Sequence, residues 1–306
     1  MFELALKNGI ELPFQPIEEV RSAYDFDDLQ SFLDIYYLGA AVLITESDFA
    51  DLMRAYLERA VQDGVIHAEI FFDPQTHTER GIDLGTVIRG FKQAMAEYDD
   101  RISTALILCF LRHLPGEAAV ATFEAARPYL DDIIGVGLDS SEVGNPPELF
   151  AEAFGLAKAA GLRLVAHAGE EGGPEYIWGA LDTLGVERVD HGVRCEDDGE
   201  LVELLVNEAV PLTMCPISNR KLQVFPDLRD HNLKRLLDRG VKVTINSDDP
   251  AYFGGYVAQN YLEIAQALGL TRADLAQIAR NSIEASFLDP DRRAALLGRL
   301  DEYAAV

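Results

Sequence analysis

The sequence predicts an α/β fold, namely a (β/α)8 TIM-type barrel that is missing its first strand. Three observations lead to this prediction. Apolar runs of strand length alternate with amphipathic helical patterns along the whole chain of 306 residues. The runs show no alternation of polar and apolar residues, which indicates strands buried on both faces of a parallel sheet. Polar residues cluster directly after the runs, where barrel enzymes carry their catalytic groups.

The chain opens in helix-like sequence (Glu3–Asn8), and seven strand candidates follow it. An open doubly wound sheet is the alternative architecture, but Ser140 stands where the third glycine of a dinucleotide fingerprint should follow Gly135. No linker rich in glycine, serine or proline divides the chain, so we expect one domain over residues 1–306. The predicted strands are 66–72, 103–111, 133–138, 163–168, 188–193, 211–215 and 241–246, and the predicted helices between them include 49–62, 147–160, 198–208 and 232–239.

Composition and charge exclude several classes of protein. The chain has 52 acidic and 26 basic side chains, and its net charge of −26 repels phosphate backbones and anionic lipid. We therefore expect neither nucleic acid nor a membrane surface as a partner. No apolar run approaches the ~18 residues of a membrane-spanning helix, and no export signal opens the sequence. The three cysteines are far apart in the sequence and form no C-x-x-C pair, so we expect a cytoplasmic protein. Because the net charge is strongly negative, we expect its substrate to be a neutral or cationic small molecule.

Three predicted strand ends carry histidine and carboxylate side chains. His167 lies near the end of one strand with Glu170 three residues further on, and His191 lies late in the next strand. Asp248 and Asp249 follow the last strand. Each residue alone is more often structural, since strand-end histidines are usually hydrogen-bonded and Asp-Asp-Pro is a common helix cap. Because a barrel brings these strand ends to one face, together they indicate metal ligands with a neighbouring acid and base.

The remaining histidines carry weaker signals. His77 and His113 follow predicted strands, and His231 precedes a predicted helix. We expect these three side chains to form hydrogen bonds at the surface, although His77 and His113 could line a site at the strand ends. His67 begins an H-x-E fragment of the kind found in cytidine-type zinc deaminases, but the P-C-x-x-C half of that signature is absent from the sequence.

Four motifs follow one another along the chain, namely HAGEEG (167–172), VDHGVR (189–194), CPISNRKLQVF (215–225) and VTINSDDPAYFG (243–254). Together they resemble the adenosine/adenine deaminase family of metal-dependent barrels. Three further segments are more similar to the adenine deaminase branch of that family than to its nucleoside branch. The resemblance covers nearly the whole chain and implies a (β/α)8 barrel with one Zn²⁺ ion that hydrolyses a 6-aminopurine to the 6-oxo form and ammonia. The three branch segments are FFDPQTHT (71–78), GLDSSEVGNPP (137–147) and PEYIWGAL (174–181).

The resemblance also implies a role for each candidate residue. His167 and Asp248 match metal ligands of the family, and Glu170 matches the acid that protonates purine N1. His191 matches the residue that orients and deprotonates the metal-activated water, and Asp249 matches the partner of purine N7. These roles agree with chemistry, because a carboxylic acid in a closed apolar site has a raised pKa and can supply a proton while hydroxide adds to C6.

Substrate choice between a free base and a nucleoside is expected to depend on Glu142. Free adenine carries an N–H at N9 or N7, whereas a nucleoside carries a ribose at N9. A carboxylate that accepts from N9–H would favour the base and would leave a nucleoside facing an unpaired charge. We therefore expect Glu142 to face N9 or N3 of the purine, with an exposed surface position as the simpler interpretation.

The sequence departs from the family in one respect. The other two metal ligands of the family form a His-x-His pair on the first strand, and this sequence has no His-x-His. We expect roughly 10–30 further residues to be encoded upstream of Met1, with a short apolar strand among them that ends in His-x-His. We also expect the 306-residue chain to bind zinc weakly and to deaminate adenine poorly. Three hypotheses remain open: deamination of adenine in purine salvage, deamination of adenosine or another 6-aminopurine nucleoside, and a non-catalytic purine-binding derivative. A homo-oligomer is also possible.

Overall fold

A computed structural model describes residues 1–13 and 24–304. The chain divides into two compact units, which are treated separately below. The first unit comprises Met1–Ser141 together with Glu152–Leu162, and the second comprises Glu142–Ala151 together with Arg163–Val306. The expectation of one domain over residues 1–306 stays a prediction.

Three parallel strands form the sheet of the first unit. β1 pairs with β2, where His67 lies opposite Ser103, and β2 pairs with β3, where Ile107 lies opposite Gly135. Residues 106–110 of β2 are fully buried, as the continuous apolar run predicts. The elements are α1 (Phe2–Asn8), α2 (Leu29–Ala40), α3 (Glu46–Gln62), β1 (His67–Phe72), α4 (Pro74–Thr78), α5 (Leu84–Tyr98), β2 (Ser103–Leu111), α6 (Gly116–Ala126), a 3₁₀ helix (Arg127–Asp132), β3 (Gly135–Asp139) and all but the first residue of α7 (Ala151–Ala159).

The second unit contains four parallel strands that pair in the order β4-β5-β6-β7. Short helices follow these strands, and longer helices close the chain. The elements are 3₁₀ helices (Pro147–Phe150, Val193–Asp197 and Leu228–Asp230), β4 (Arg163–Ala168), α8 (Pro174–Gly179), a π-helical segment (Ala180–Leu184), β5 (Arg188–His191), α9 (Gly199–Asn207), β6 (Leu212–Met214), α10 (Pro216–Lys221), α11 (Leu233–Asp238), β7 (Val243–Ile245), α12 (Pro250–Phe253), α13 (Val257–Leu268), α14 (Arg272–Ala285) and α15 (Pro290–Ala304).

Local sequence explains where several helices begin and end. Thr271 and Asp274 form a reciprocal capping box at the start of α14, in which each side chain accepts from the other residue's backbone N–H. Asp198 caps α9 by accepting from two backbone N–H groups. Gly9 ends α1 in the left-handed conformation, with φ of 65°, which glycine adopts without steric cost.

All seven predicted strands are confirmed within the described residues, and most of the differences are at the ends. The strand predicted over 188–193 ends at His191, because His191 and Gly192 both adopt positive φ angles (61° and 68°) and leave the extended conformation. The predicted helix over 147–160 is confirmed as a 3₁₀ turn that continues into α7. Before β1, the described residues form three helices and no strand.

Among the helices that the structure describes, none is both long enough and apolar enough to cross a membrane.

Candidate active site

The candidate residues of the second unit lie at the carboxyl ends of its strands. His167 is the next-to-last residue of β4, and His191 is the last residue of β5. Glu170 follows β4 in the loop before α8, and Asp248 lies between β7 and α12. Because parallel strands end on the same edge of their sheet, three separate segments deliver their side chains to one place.

The distances show that these side chains meet. His191 Nδ1 lies 3.6 Å from Glu170 Oε1, and His191 Nε2 lies 3.8 Å from Asp248 Oδ2. The ring centroids of His167 and His191 are 5.0 Å apart. Thus four of the six residues singled out in the sequence converge around one imidazole.

Two of these residues adopt backbone conformations that are unusual for their type. His191 has φ of 61° and Asp248 has φ of 55°, both in the left-handed region. Such conformations are uncommon for residues other than glycine, and they concentrate at active sites, where the surrounding structure maintains them. At His191 and Asp248, therefore, the fold tolerates a less favourable backbone conformation, which sets the direction of these two side chains.

Burial decides the protonation of Glu170. Loss of solvation raises the pKa of its carboxyl group to about 8, with smaller increases from neighbouring carboxylates and a decrease from His191. Glu170 is therefore protonated at neutral pH. Burial alone would lower the pKa of His191, but the surrounding carboxyl groups outweigh it and the pKa is raised. A proton donor and a basic imidazole thus lie side by side.

The same residues offer ligand atoms for a metal ion. Ligand atoms of His191, Cys215 and Asp248 all lie within 4.8 Å of one another. Burial raises the pKa of the Cys215 thiol well above its usual range, so the thiol stays protonated and is a poor ligand. The His191 imidazole and the Asp248 carboxylate remain from this group, and the His167 ring lies 5.0 Å from the His191 ring between centroids. Imidazole and carboxylate are ligand types that zinc takes.

The His167 imidazole lies beside a buried carboxylate. Its Nδ1 atom lies 3.7 Å from Oδ2 of Asp190, which is buried and accepts a hydrogen bond of 2.7 Å from the Thr213 hydroxyl. This separation is longer than a hydrogen bond, so the contact places a carboxylate beside the His167 ring without fixing the orientation of the ring. Asp190 is part of the V-D-H-G-V motif, but the sequence analysis did not select it as a candidate site residue.

Glu142 occupies a different environment from the one expected. Its side chain is buried, so the surface alternative is wrong, and both carboxylate oxygens accept backbone N–H groups from residues 169–172. The expected contact with N9 or N3 of a purine stays a prediction, and it competes with four hydrogen bonds that already occupy the carboxylate.

Asp249 takes the N-cap position of α12, with Pro250 at the first helical position, but its side chain makes no capping hydrogen bond. The simple helix-cap interpretation of Asp-Asp-Pro therefore does not account for this carboxylate. The suggested contact with purine N7 stays a prediction.

A chain of hydrogen bonds leads from His191 to a histidine that the sequence analysis placed at the surface. His231 is buried, accepts the Leu233 N–H at Nδ1 (3.1 Å) and contacts Asn219 Oδ1 through Nε2 (3.2 Å). Asn219 Nδ2 lies 3.5 Å from His191 Nδ1. Because Nδ1 of His231 accepts, its Nε2 carries the proton and donates to Asn219. The surface expectation for His231 was wrong, and only its place before a helix was visible in the sequence.

His77 is also buried, contrary to the expectation of a surface residue. Burial, followed by the nearby Arg80 charge, lowers the pKa of His77 to about 4. The Arg80 guanidinium donates to Nδ1 of His77 at 2.9 Å and to the backbone carbonyls of Thr76 and Ala40. His113 is exposed, as expected, and contacts Ser140 within the first unit.

Comparison with known proteins gives consistent results along the whole chain. The sequence model of the family described as "Adenosine deaminase" matches residues 1–303. An adenine deaminase of Hahella chejuensis is 58% identical over 305 residues, which cover 99% of this chain and 91% of that protein. An adenine deaminase of Ralstonia pickettii is 59% identical over 309 residues, which cover 99% of this chain and 90% of that protein.

Solved structures agree with these relatives. The crystal structure of an adenine deaminase from Arthrobacter aurescens superimposes with a TM-score of 0.97 at 50% identity, covering all of this chain and 94% of that one. A zinc-bound amidohydrolase from Burkholderia ambifaria superimposes with a TM-score of 0.86 at 27% identity, covering 99% of this chain and 87% of that one. The match over the whole chain confirms the predicted TIM-type α/β fold, with seven strands in the described residues.

Proposed function

The chain belongs to the adenosine deaminase family, and on that premise we propose that it hydrolyses adenine to hypoxanthine and ammonia. The observation that carries the proposal is the convergence of Glu170, His191 and Asp248 at the strand ends of the second unit. Its substrate follows from curated relatives named adenine deaminase that are 58–59% identical over nearly the whole chain.

A zinc ion fits the donors present, and His167 and Asp248 are the residues that would hold it. When bound, zinc lowers the pKa of a water molecule from about 15.7 towards about 7 and so supplies a nucleophile at neutral pH. The zinc-bound relative with 27% identity supports this choice of metal, and we propose one ion per chain. The protein's own residues handle the protons.

Glu170 supplies the proton that addition to the purine ring requires. When water adds to C6, negative charge would build up on N1 unless N1 is protonated in the same step. Because burial keeps the Glu170 carboxyl protonated up to about pH 8, it can donate to N1. His191, 3.6 Å from Glu170, accepts the proton that the attacking water releases.

The remaining steps balance without a co-reactant. The proton taken by His191 passes to the departing amino group, which leaves as ammonia when the C6–N6 bond breaks. The proton of the C6 hydroxyl returns to the Glu170 carboxylate as the C6=O bond forms, so both groups are restored. Adenine and water are consumed, and hypoxanthine and ammonia are formed. Asp249 is proposed to hold the purine through N7, since its carboxylate lies next to Asp248 in the chain and does not cap α12.

The cellular setting follows from the same chemistry. We propose that the enzyme works in purine salvage in the cytoplasm, because its substrate is a neutral free base and its charge of −26 disfavours anionic nucleotides.

Steady-state kinetics in the presence of excess zinc test the proposed function, because the sequence analysis expects the 306-residue chain to bind zinc weakly. Ammonia release and hypoxanthine formation from adenine should follow Michaelis–Menten kinetics, and kcat/KM for adenosine should be lower by more than about 100-fold. Comparable turnover of the two compounds would make the enzyme a general 6-aminopurine deaminase. Adenine binding without ammonia release would instead identify a non-catalytic purine-binding protein.

A further inference from the structure

Glu142 holds one loop through an unusual number of contacts. Its side chain is 1% exposed. Oε1 accepts the Gly169 N–H at 2.6 Å, and Oε2 accepts the N–H groups of Glu170, Glu171 and Gly172 at 3.0, 2.8 and 2.8 Å. Four successive peptide N–H groups therefore converge on one carboxylate that lies 27 to 30 residues earlier in the chain.

Backbone N–H groups surround the Glu142 carboxylate. The hydrogen bonds that the Glu142 carboxylate accepts all come from backbone N–H groups of residues 169–172. Successive N–H groups that point into one concave turn form an anion-binding nest, and here the bound anion belongs to the protein itself. A neutral side chain could not accept all four donors, so both the negative charge and the two oxygens of Glu142 are needed.

The loop conformation depends on a glycine. Gly169 has φ of +68°, and a Cβ atom at this position would lie 2.5 Å from the Ile177 side chain. The left-handed turn at Gly169 directs the following N–H groups to one side, towards Glu142. The backbone conformation of the loop 169–172 therefore depends on Gly169, and the hydrogen bonds to Glu142 hold the loop in that conformation.

The anchored loop carries the proton donor of the proposed reaction. The backbone N–H of Glu170 is one of the four donors to Glu142, and the Glu170 side chain lies 3.6 Å from His191. We propose that Glu142 is a positioning residue, which fixes the loop 169–172 and thereby places the Glu170 carboxyl for proton transfer to the purine, instead of contacting the purine itself. The inference rests on the proposed function.

A double-mutant cycle tests whether Glu142 acts through Glu170. In the zinc-loaded enzyme, Glu142→Gln should lower kcat by about 10–100-fold while KM for adenine changes less than about threefold. Glu170→Gln should lower kcat further than Glu142→Gln does. The double variant should be no slower than Glu170→Gln alone, because the proton donor that Glu142 positions is already absent. Glu148→Gln, an exposed carboxylate in the same segment, is the matched control and should behave like the unchanged enzyme.

Other outcomes overturn the inference. Multiplicative rate losses in the double variant would show that Glu142 acts independently of Glu170. A rise in KM with kcat retained would place Glu142 against the purine, as the sequence analysis expected. Normal kinetics in Glu142→Gln would remove any role for it in the reaction.

Amide hydrogen exchange makes the inference testable apart from turnover. The amides of residues 169–172 should be protected in the unchanged protein and should exchange at least about tenfold faster in Glu142→Gln, while those of β5 stay protected. Glu142→Asp, which keeps the charge but is one methylene shorter, should give an intermediate rate and serves if Glu142→Gln does not fold. If the loop amides exchange at the same rate in both variants as in the unchanged protein, the inference fails. If only adenine turnover is absent from the unchanged protein, the proposed function fails instead.

Discussion

Oε1 of Glu170 lies 3.6 Å from Nδ1 of His191, and both side chains are almost completely buried. Burial raises the pKa of Glu170 and favours its neutral acid, whereas the surrounding carboxyl groups raise the pKa of His191 and make its neutral imidazole a stronger base. The two groups can therefore act on opposite sides of one reaction, with the acid donating to the substrate and the imidazole receiving a proton from water.

Replacing Glu170 by glutamine should remove proton donation and little else. The amide has nearly the same shape, but it cannot deliver a proton to N1, so kcat should fall by about 10²–10⁴-fold. Metal content, measured by atomic emission, and adenine affinity, measured by calorimetry, should be unchanged. Wild-type-like rates would show that Glu170 is not the acid.

Activity should decline on the alkaline side of neutrality. The raised pKa of Glu170, about 8, means that the donor is protonated below that pH and loses its proton as the pH rises through it. The kcat/KM for adenine should therefore fall about tenfold per pH unit above pH 8. In Glu170→Gln the residual rate should lack this alkaline limb, and its persistence would assign the limb to another group.

Two neighbours in the chain, Asp248 and Asp249, should have separable effects. Asp248→Ala removes a proposed metal ligand and should weaken zinc binding by more than about 100-fold. Asp249→Ala should retain zinc and raise KM for adenine. Cys215→Ser is the control for the cluster, since the protonated thiol is a poor ligand, and loss of zinc in that variant would place Cys215 in the ligand set.

The hydrogen bonds behind His191 should influence its chemistry. Asn219 bridges His231 and His191, and Asn219→Ala should lower kcat by about 10–100-fold because the imidazole loses the group that orients it. Asn246→Ala removes an amide on β7's carboxyl side that hydrogen-bonds Thr244 and serves as a comparison. Equal effects of the two changes on kcat would argue against a specific role for Asn219.

The first unit should lose stability in acid through Asp48. This buried carboxylate accepts from Lys7, Asn8 and the backbone N–H of Thr45, and these bonds outweigh burial and hold its pKa well below its usual range. A depressed pKa in the folded state gives stability that is present above the unfolded pKa of about 3.9 and is lost as the pH falls towards the folded value.

Asp48→Asn should therefore lower the free energy of unfolding by about 2 kcal/mol at pH 7, as measured by denaturant titration. Lys7→Ala, which removes a partner that is 44% exposed, should cost less. The difference between Asp48→Asn and the unchanged protein should shrink at low pH, and a constant difference would contradict the depressed pKa.

Sequence pattern was sufficient for the elements of the fold and for part of the site. Apolar runs predicted all seven strands, because a strand that is buried on both faces needs apolar side chains at nearly every position. Polar residues at strand ends identified His167, Glu170, His191 and Asp248, because the edge at which parallel strands end is set by the fold class itself. The predicted ends of the strands were less accurate than the strands themselves. At His191 the strand ends early because the residue has a positive φ angle, which the sequence pattern does not indicate.

By itself, then, the sequence determined the α/β class, the strand series and the residue types available at the strand ends. Only the tertiary structure decided which of them are protonated and what holds them in place. Burial sets the pKa of Glu170, a buried His231 lies behind His191, and Glu142 is bound to a loop that lies 27 residues further along the chain. Desolvation and hydrogen bonding depend on atoms brought together from distant segments, so neither can be read from the neighbours of a residue in sequence.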